Sequence, residues 1–165
     1  KGKTIDMLFY EQYNIDYSKR FELTYWKRDL SKEKELYKEL VQNENYVFVH
    51  DDPSRGFVIP DSLISNEFQI IRNSYAHSIF DYCKIIENSK EIHVMESSTR
   101  CMLEYLNTER SKHFLYNFSN GPWKSIPYYN SHNEMTGSSK DWEIKEIKFR
   151  KNDKILNKIL KFFKF

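Results

Sequence analysis

The pattern of apolar and polar positions predicts helices that alternate with short strands. A continuous apolar run occurs at 46–49 and a mainly apolar one, which contains His93, at 92–95, about 45 positions later, and each ends abruptly in charged or small polar residues. The amphipathic pattern of 30–41 predicts a helix before the first run, and 78–88 predicts another before the second. Because such alternation is typical of parallel sheets, we expect the two runs to be neighbouring parallel strands.

The other apolar runs predict the remaining elements with less regularity. We expect a strand or core segment at 5–10, a short helix near 9–13, an extended segment at 21–26, a short extended piece at 57–60, strands at 67–71 and 114–116, a helix at 99–106 and an irregular segment at 117–139. The apolar residues at the end of the chain recur at helical spacing between lysines, which predicts a basic amphipathic helix over 151–165.

The length and composition predict a single folded domain. The chain has 165 residues, of which 39% are hydrophobic and 16% aromatic, and this composition excludes a disordered chain. We expect one domain over 1–150, followed by the helix of 151–165. The chain begins at Lys1 without a methionine, so we expect an N-terminal partner domain to be missing from it.

The charge balance and the cysteines restrict the class of partner and the compartment. With 26 basic and 24 acidic residues the chain has no global basic field, so we expect no nucleic-acid partner. Cys83 and Cys101 have no zinc-binding spacing, and no signal peptide or long apolar run occurs, which predicts a cytoplasmic protein. Residues 154–165 could contact an anionic membrane surface peripherally, or could pack across the domain.

Glu96, Ser97, Ser98 and Thr99 follow the second predicted strand and open a helix. Small hydroxyl residues at such a turn present backbone N–H groups and their own hydroxyls to an anion, so Ser97 or Ser98 could contact a phosphate. The alternative is an ordinary helix N-cap, since serine and threonine are strongly preferred there. From these four residues alone the cap is the favoured interpretation.

A second group, His50, Asp51, Asp52 and Arg55, follows the first predicted strand. Arginine presents a planar fork of donors suited to phosphate, and histidine can hydrogen-bond a diphosphate or a sugar hydroxyl. One alternative is a solvated turn in which an aspartate pairs with Arg55. Another is the metal site of a phosphohydrolase, although the other histidines lack recognisable metal-ligand spacing. His93, in mid-strand, is interpreted as a core histidine.

Several common catalytic signatures are absent from the sequence. It contains no Gly-x-Gly-x-x-Gly, no P-loop, no Gly-x-Ser-x-Gly and no His-Glu-x-x-His. Dinucleotide oxidoreductases, P-loop kinases, α/β-hydrolases and zincins therefore lose their main sequence support.

The order of motifs over residues 5–145 resembles that of uncharacterised glycosyltransferase-like proteins of bacteria and large viruses with the GT-B fold. The resemblance is carried by Met7-Leu8-Phe9-Tyr10-Glu11-Gln12, Arg20-Phe21, Lys27-Arg28-Asp29, Tyr46-Val47-Phe48-Val49-His50-Asp51-Asp52-Pro53-Ser54-Arg55-Gly56, Ile79-Phe80-Asp81-Tyr82, Ile86-Glu87-Asn88-Ser89, Glu91-Ile92-His93-Val94-Met95-Glu96-Ser97-Ser98 and Lys140-Asp141-Trp142. It implies an α/β, Rossmann-like parallel sheet with helices on both faces, of the GT-B C-terminal-domain type, which holds the nucleotide-sugar.

For the site, the resemblance implies that Ser97 and Ser98, with Glu96 and Thr99, lie by the nucleotide diphosphate. It also implies that His50 and Arg55 point into the same cleft. We expect Arg55 to stabilise the charge of the leaving diphosphate, and His50 and Asp51 or Asp52 to complete the catalytic set. The Gly-x-Gly-Asp loop of the family is missing here, which again indicates an absent N-terminal domain.

The implied function is a glycosyltransferase, or its donor-binding half, that moves a hexosyl or deoxyhexosyl group from a nucleotide-sugar to a glycan or other acceptor. The nucleotide-sugar is a substrate, and we expect neither a cofactor nor a metal ion. The alternative is a non-catalytic module that binds a nucleotide or glycan on the same scaffold.

Overall fold

Five parallel strands form one sheet in the computed structural model, which describes residues 5–118, 138 and 140–147. The strands are β1 (Tyr46–His50), β2 (Gln69–Arg72), β3 (Glu91–Met95), β4 (Lys112–Phe118) and β5 (Trp142–Ile147). The helices are α1 (Ile5–Gln12), α2 (Lys19–Leu23), α3 (Leu30–Leu40), α4 (Cys83–Asn88) and α5 (Ser98–Leu103). The α/β class predicted from the sequence is therefore confirmed.

The strand order across the sheet is β2-β1-β3-β4-β5, and all four neighbouring pairs are parallel. Val49 of β1 lies opposite Arg72 of β2 on one side and opposite His93 of β3 on the other. The prediction that the two apolar runs are adjacent parallel strands is thus confirmed. The chain adds β2 on one side of β1 and then β3, β4 and β5 on the other, so the strand order reverses between β1 and β3. Ligands of open parallel sheets bind at such a reversal.

One face of the sheet is covered by helices. The core on this face consists of strand residues packed against α3, α4, α5 and the 3-10 turn that precedes α4, and includes Leu36, Tyr46, Phe48, Ile71, Tyr82, Cys83, Ile85, Ile86, Ile92, Val94, Met102, Leu103, Leu106 and Leu115. The Tyr46 hydroxyl donates to the carbonyl of Ile85 at 2.8 Å, so the one polar atom of this buried ring has a partner.

The opposite face is covered in the described residues by an irregular segment, residues 51–68, instead of a helix. Its apolar side chains pack against the second set of strand residues in a core formed by Val47, Val49, Phe57, Ile59, Ile64, Met95, Tyr116 and Phe118. Prolines at 53 and 60 and Gly56, whose φ is 80°, interrupt any continuous helix here. The expectation of helices on both faces is therefore not met by the described residues.

The aromatic N-terminal region differs from the sequence prediction. Residues expected to form a strand or core segment at 5–10 form α1, and part of the expected extended segment forms α2. The expected extended piece at 57–60 makes only an isolated bridge between Asp52 and Phe57. Apolar content was a poor guide here, because α1 and α2 leave several large side chains in solvent: Leu8, Phe9 and Leu23 are about half or more exposed.

At the other end, β5 was not predicted, although burial alternates over its first four residues, Trp142 to Lys145. Most of the predicted irregular segment 117–139 and the whole predicted helix 151–165 lie outside the described residues. None of the helices in the described ranges has the length and apolar character required to cross a membrane.

Candidate functional site

His50, at the end of β1, meets the residues singled out after β3 at the carboxyl edge of the sheet, where the strand order reverses. His50 ends β1, and its Nδ1 lies 3.4 Å from Oγ1 of Thr99 in the first turn of α5. Thr99 is buried, whereas Ser98 beside it is exposed to solvent. We call the surface formed by His50, Ser97, Ser98 and Thr99, which is where an open parallel sheet binds its ligand, the switch-point crevice.

Ser97 caps α5. Its Oγ accepts a hydrogen bond from the backbone N–H of Arg100 at 3.5 Å and donates to the carbonyl of Met95 at 3.3 Å. The interpretation of Ser97 as an N-cap is therefore confirmed, and the hydroxyl is held within its own chain. Ser98 is exposed and is the serine of this pair placed to meet a ligand.

Glu96 follows β3 directly and is largely buried. Its Oε1 accepts a hydrogen bond from Nε of Arg100 at 3.3 Å, while its Oε2 is buried and receives no hydrogen bond from any residue that the structure describes. Burial raises the pKa of Glu96 above its usual value, and the nearby Arg100 opposes that rise. A buried carboxylate oxygen without a donor is uncommon, and such atoms concentrate where a ligand or proton completes the set.

Arg100 holds Glu96 in place and is itself 4% exposed. Its Nη1 donates to Oε1 of Glu104 at 3.2 Å. The same Glu104 oxygen accepts from the hydroxyl of Ser138 at 2.6 Å and from Nε1 of Trp142 at 3.3 Å. This network connects the crevice, through α5, to the start of β5, and none of it was predicted from the sequence. The signal that could have indicated it is the four-residue spacing of Arg100 and Glu104 at the end of α5, with Glu96 placed just before the helix N-cap.

Asp51 lies immediately after β1 but faces the covering segment. It is 2% exposed, and its Oδ2 accepts a hydrogen bond from the backbone N–H of Ile59 at 2.9 Å and pairs with Nη1 of Arg72. Arg72 also contacts the Ile59 carbonyl, at 2.7 Å, and the carboxylate of Asp61. These contacts attach the 51–68 segment to the sheet and account for Asp51 as a structural residue.

Asp52 and Ser54 form the outer rim of the same loop. Asp52 Oδ1 accepts hydrogen bonds from the Ser54 hydroxyl at 2.5 Å and from the hydroxyl of Tyr75 at 2.7 Å. Tyr75, in the loop after β2, was not singled out from the sequence, and an isolated tyrosine there gave no signal. Arg55 ends the 3-10 turn 53–55, and its side chain lies outside the described part of the structure.

His93 lies in the middle of β3, away from its carboxyl end, and is a buried core histidine, as predicted. Its Nδ1 lies 2.8 Å from the Tyr116 hydroxyl and its Nε2 lies 3.1 Å from Oε2 of Glu91. The ring stacks on Phe114 with centroids 4.6 Å apart. Burial lowers the pKa of His93, and Glu91 acts in the opposite direction.

An open cavity of about 820 Å³ lies at the opposite, amino edge of the sheet, between the starts of β4 and β5. Its lining includes Lys112, His113, Lys140 and Trp142 together with acidic side chains. Ligands of parallel sheets bind at carboxyl ends of strands, and this mixed-charge cavity lies at the other end. We therefore base the functional argument on the switch-point crevice.

Within the described ranges, no group of three or more histidine, cysteine, aspartate or glutamate side chains is arranged to hold a metal ion. Comparisons with protein-family models, with curated proteins and with solved structures found no match to this chain. The site's own geometry therefore carries the functional argument.

Proposed function

We propose that this chain is the donor-binding part of a glycosyltransferase that uses a nucleotide-sugar. The observation that carries the proposal is the contact of His50, at the end of β1, with Thr99 in the first turn of α5, at the reversal of strand order and beside the exposed Ser98. The resemblance of the motif order to GT-B proteins supplies the reaction class, and the same residues are the ones that the resemblance assigns to the donor.

In this proposal the diphosphate of the donor lies in the switch-point crevice. The exposed hydroxyl of Ser98 and the ring of His50 would hydrogen-bond its oxygens. Glu96 Oε2, which has no donor among the described residues, would accept a hydrogen bond from a hydroxyl group of the nucleotide-sugar. The ligand would thereby satisfy a buried polar atom that the described protein residues leave without a partner.

In the reaction, the bond between the anomeric carbon and the diphosphate breaks, the oxygen of an acceptor hydroxyl forms a new bond to that carbon, and the hydroxyl proton passes to the released diphosphate. The leaving diphosphate gains charge, so the enzyme must stabilise it with donors or cations placed beforehand. We propose Arg55 as the cation, consistent with its place in the loop after β1. Asp51, which pairs with Arg72, keeps that loop in position.

One observation favours a second candidate, a non-catalytic nucleotide-binding module. Two arginines near the carboxyl edge, Arg72 and Arg100, are each paired with carboxylates. Their charge is therefore partly neutralised before any diphosphate arrives, which limits what they add to the stabilisation of a leaving group.

The first test is calorimetric titration of the chain with UDP, GDP and their sugar conjugates, with and without EDTA. We expect one nucleotide to bind with the same affinity in EDTA, and Ser98→Ala and His50→Gln to weaken that binding. A matched control is His113→Gln, because His113 also contacts a threonine, Thr108, at 2.8 Å but at the amino edge of the sheet. No binding by the intact chain, or equal losses in the control, would overturn the proposal.

Transfer is tested separately from binding. Release of free nucleotide from the bound conjugate, in the presence of glycan acceptors, would support the glycosyltransferase. Tight binding of the conjugate without its consumption would support the non-catalytic module instead.

A further inference from the structure

Tyr75 is exposed and yet held in place. The residue is 73% exposed, but its hydroxyl donates to Asp52 at 2.7 Å and lies 3.4 Å from the hydroxyl of Ser54. A side chain that is fixed without being buried loses rotamer freedom and gains little from the hydrophobic effect. A large aromatic ring that is both exposed and fixed is suited to contact a molecule that is not part of the fold.

The loop that carries Tyr75 is also held at its base. The Asn73 side-chain oxygen accepts a hydrogen bond from the backbone N–H of Asp51 at 3.2 Å, and the Tyr82 hydroxyl accepts one from the N–H of Ser74 at 2.9 Å. The backbone N–H of Asn73 continues the ladder to the carbonyl of Val49 at 3.1 Å. The ring of Tyr75 is therefore held in two ways: its loop is hydrogen-bonded to the end of β1, and its hydroxyl is hydrogen-bonded to Asp52.

The strand register places Tyr75 on the far side of β1 from Glu96. Arg72, Val49 and His93 lie side by side across β2, β1 and β3, and Tyr75 and Glu96 each come three residues after that row. Two strand spacings amount to about 10 Å. In a nucleoside diphosphate the ribose and the α-phosphate together hold the base and the β-phosphate at a comparable separation, so one nucleotide could span both positions.

We infer that the ring of Tyr75 is the surface on which the nucleobase of the donor stacks. The inference rests on the proposed nucleotide-binding function and names the part of the ligand that this loop recognises. Stacking on a fixed aromatic ring suits a planar base, because every nucleobase has a π-face. The Asp52 tether then fixes the ring at the rim while the diphosphate lies in the switch-point crevice.

The test compares ligands with and without a base. We expect Tyr75→Ala to weaken binding of UDP or GDP by about fivefold to a hundredfold. Binding of inorganic pyrophosphate should not change, because pyrophosphate has no base. Tyr75→Phe keeps the ring and should retain most of the affinity. The matched control is Tyr25→Ala, which removes another strongly exposed tyrosine, 84% exposed, from the N-terminal region.

Saturation-transfer NMR gives a readout that a purely structural tyrosine would not change. We expect the base protons of the bound nucleotide to receive saturation from the wild-type protein and to lose it selectively in Tyr75→Ala. Unchanged nucleotide affinity in Tyr75→Ala, or equal losses for nucleotide and pyrophosphate, would overturn the stacking role and leave the proposed function intact. Failure of the wild type to bind any nucleotide would overturn both.

Discussion

His50 and Thr99 are 49 residues apart in the chain, and their Nδ1 and Oγ1 atoms lie 3.4 Å apart at the carboxyl edge of the sheet. The pair joins the end of β1 to the first turn of α5 across the reversal of strand order. Thr99 is buried and therefore orients the His50 ring from the protein interior. Ser98, beside it, is exposed to solvent.

Replacing Thr99 by valine should weaken nucleotide binding about threefold to tenfold, because His50 loses one of the groups that orient it. Valine has nearly the shape of threonine, so the free energy of unfolding should fall by only about 1 kcal/mol. Calorimetric titration and urea unfolding measure the two effects. The corresponding change at the amino edge, Thr108→Val, should alter stability alone, and an equal loss of binding there would contradict the assignment.

Replacing Asp51 by asparagine should destabilise the fold by about 2 kcal/mol, measured by urea unfolding. The change removes the charge that faces Arg72 at a carboxylate that is only 2% exposed. Asp61 is a matched control because it pairs with the same arginine at a side chain that is 71% exposed. Asp61→Asn should therefore have an effect of about 0.5 kcal/mol or less. Equal effects of the two changes would show that burial of the Asp51 pair has no role.

Replacing Glu96 by glutamine should stabilise the fold at pH 7 by up to about 1 kcal/mol while weakening nucleotide-sugar binding. Burial raises the pKa of Glu96 above 4.5, so above that pH the folded state binds more protons than the unfolded state, and the ionised carboxylate opposes folding. The gain should disappear as the pH falls through the raised pKa. Thermal unfolding between pH 4 and 8 checks this, and a variant less stable at pH 7 would contradict it.

Acid should destabilise the protein through His93. Its pKa in the folded state is lowered from 6.5 by burial, so below about pH 6.5 the unfolded state binds more protons and the free energy of unfolding falls. His93→Gln should reduce this slope in chemical unfolding measured from pH 5 to 8. His113 has a pKa lowered in the same direction, so part of the slope should remain in the variant. An unchanged slope would mean that His93 does not titrate as its burial requires.

The sequence predicted the centre of the sheet well because a buried parallel strand is a continuous apolar run with polar residues at its end. Val47, Phe48 and Val49 are completely buried, and the pairing of β1 with β3 followed from the same pattern. The helix N-cap at Ser97 was likewise predicted from local chemistry. These features depend on near neighbours in the chain.

The parts that could not be predicted depend on distant partners. β5 pairs with β4 across a long separation in sequence, and neither its length nor its register follows from its own residues. Tyr75 meets Asp52, 23 residues away, and Arg72 meets Asp51, 21 residues away. The short helix predicted near 9–13 overlaps α1, but the strand or core segment predicted at 5–10 and the extended backbone predicted at 21–23 were wrong, because large residues there such as Phe9 and Leu23 face solvent.

The 51–68 segment carries Asp52 and Ser54 beside Tyr75, and among the described residues it covers the face of the sheet opposite α3, α4 and α5. Its Phe57 packs edge-on against Phe118 with ring centroids 5.2 Å apart. The loop that positions Tyr75 therefore depends on an aromatic contact beneath it. A change of side-chain volume at Phe57 or Phe118 would shift the Asp52–Tyr75 pair without touching either residue.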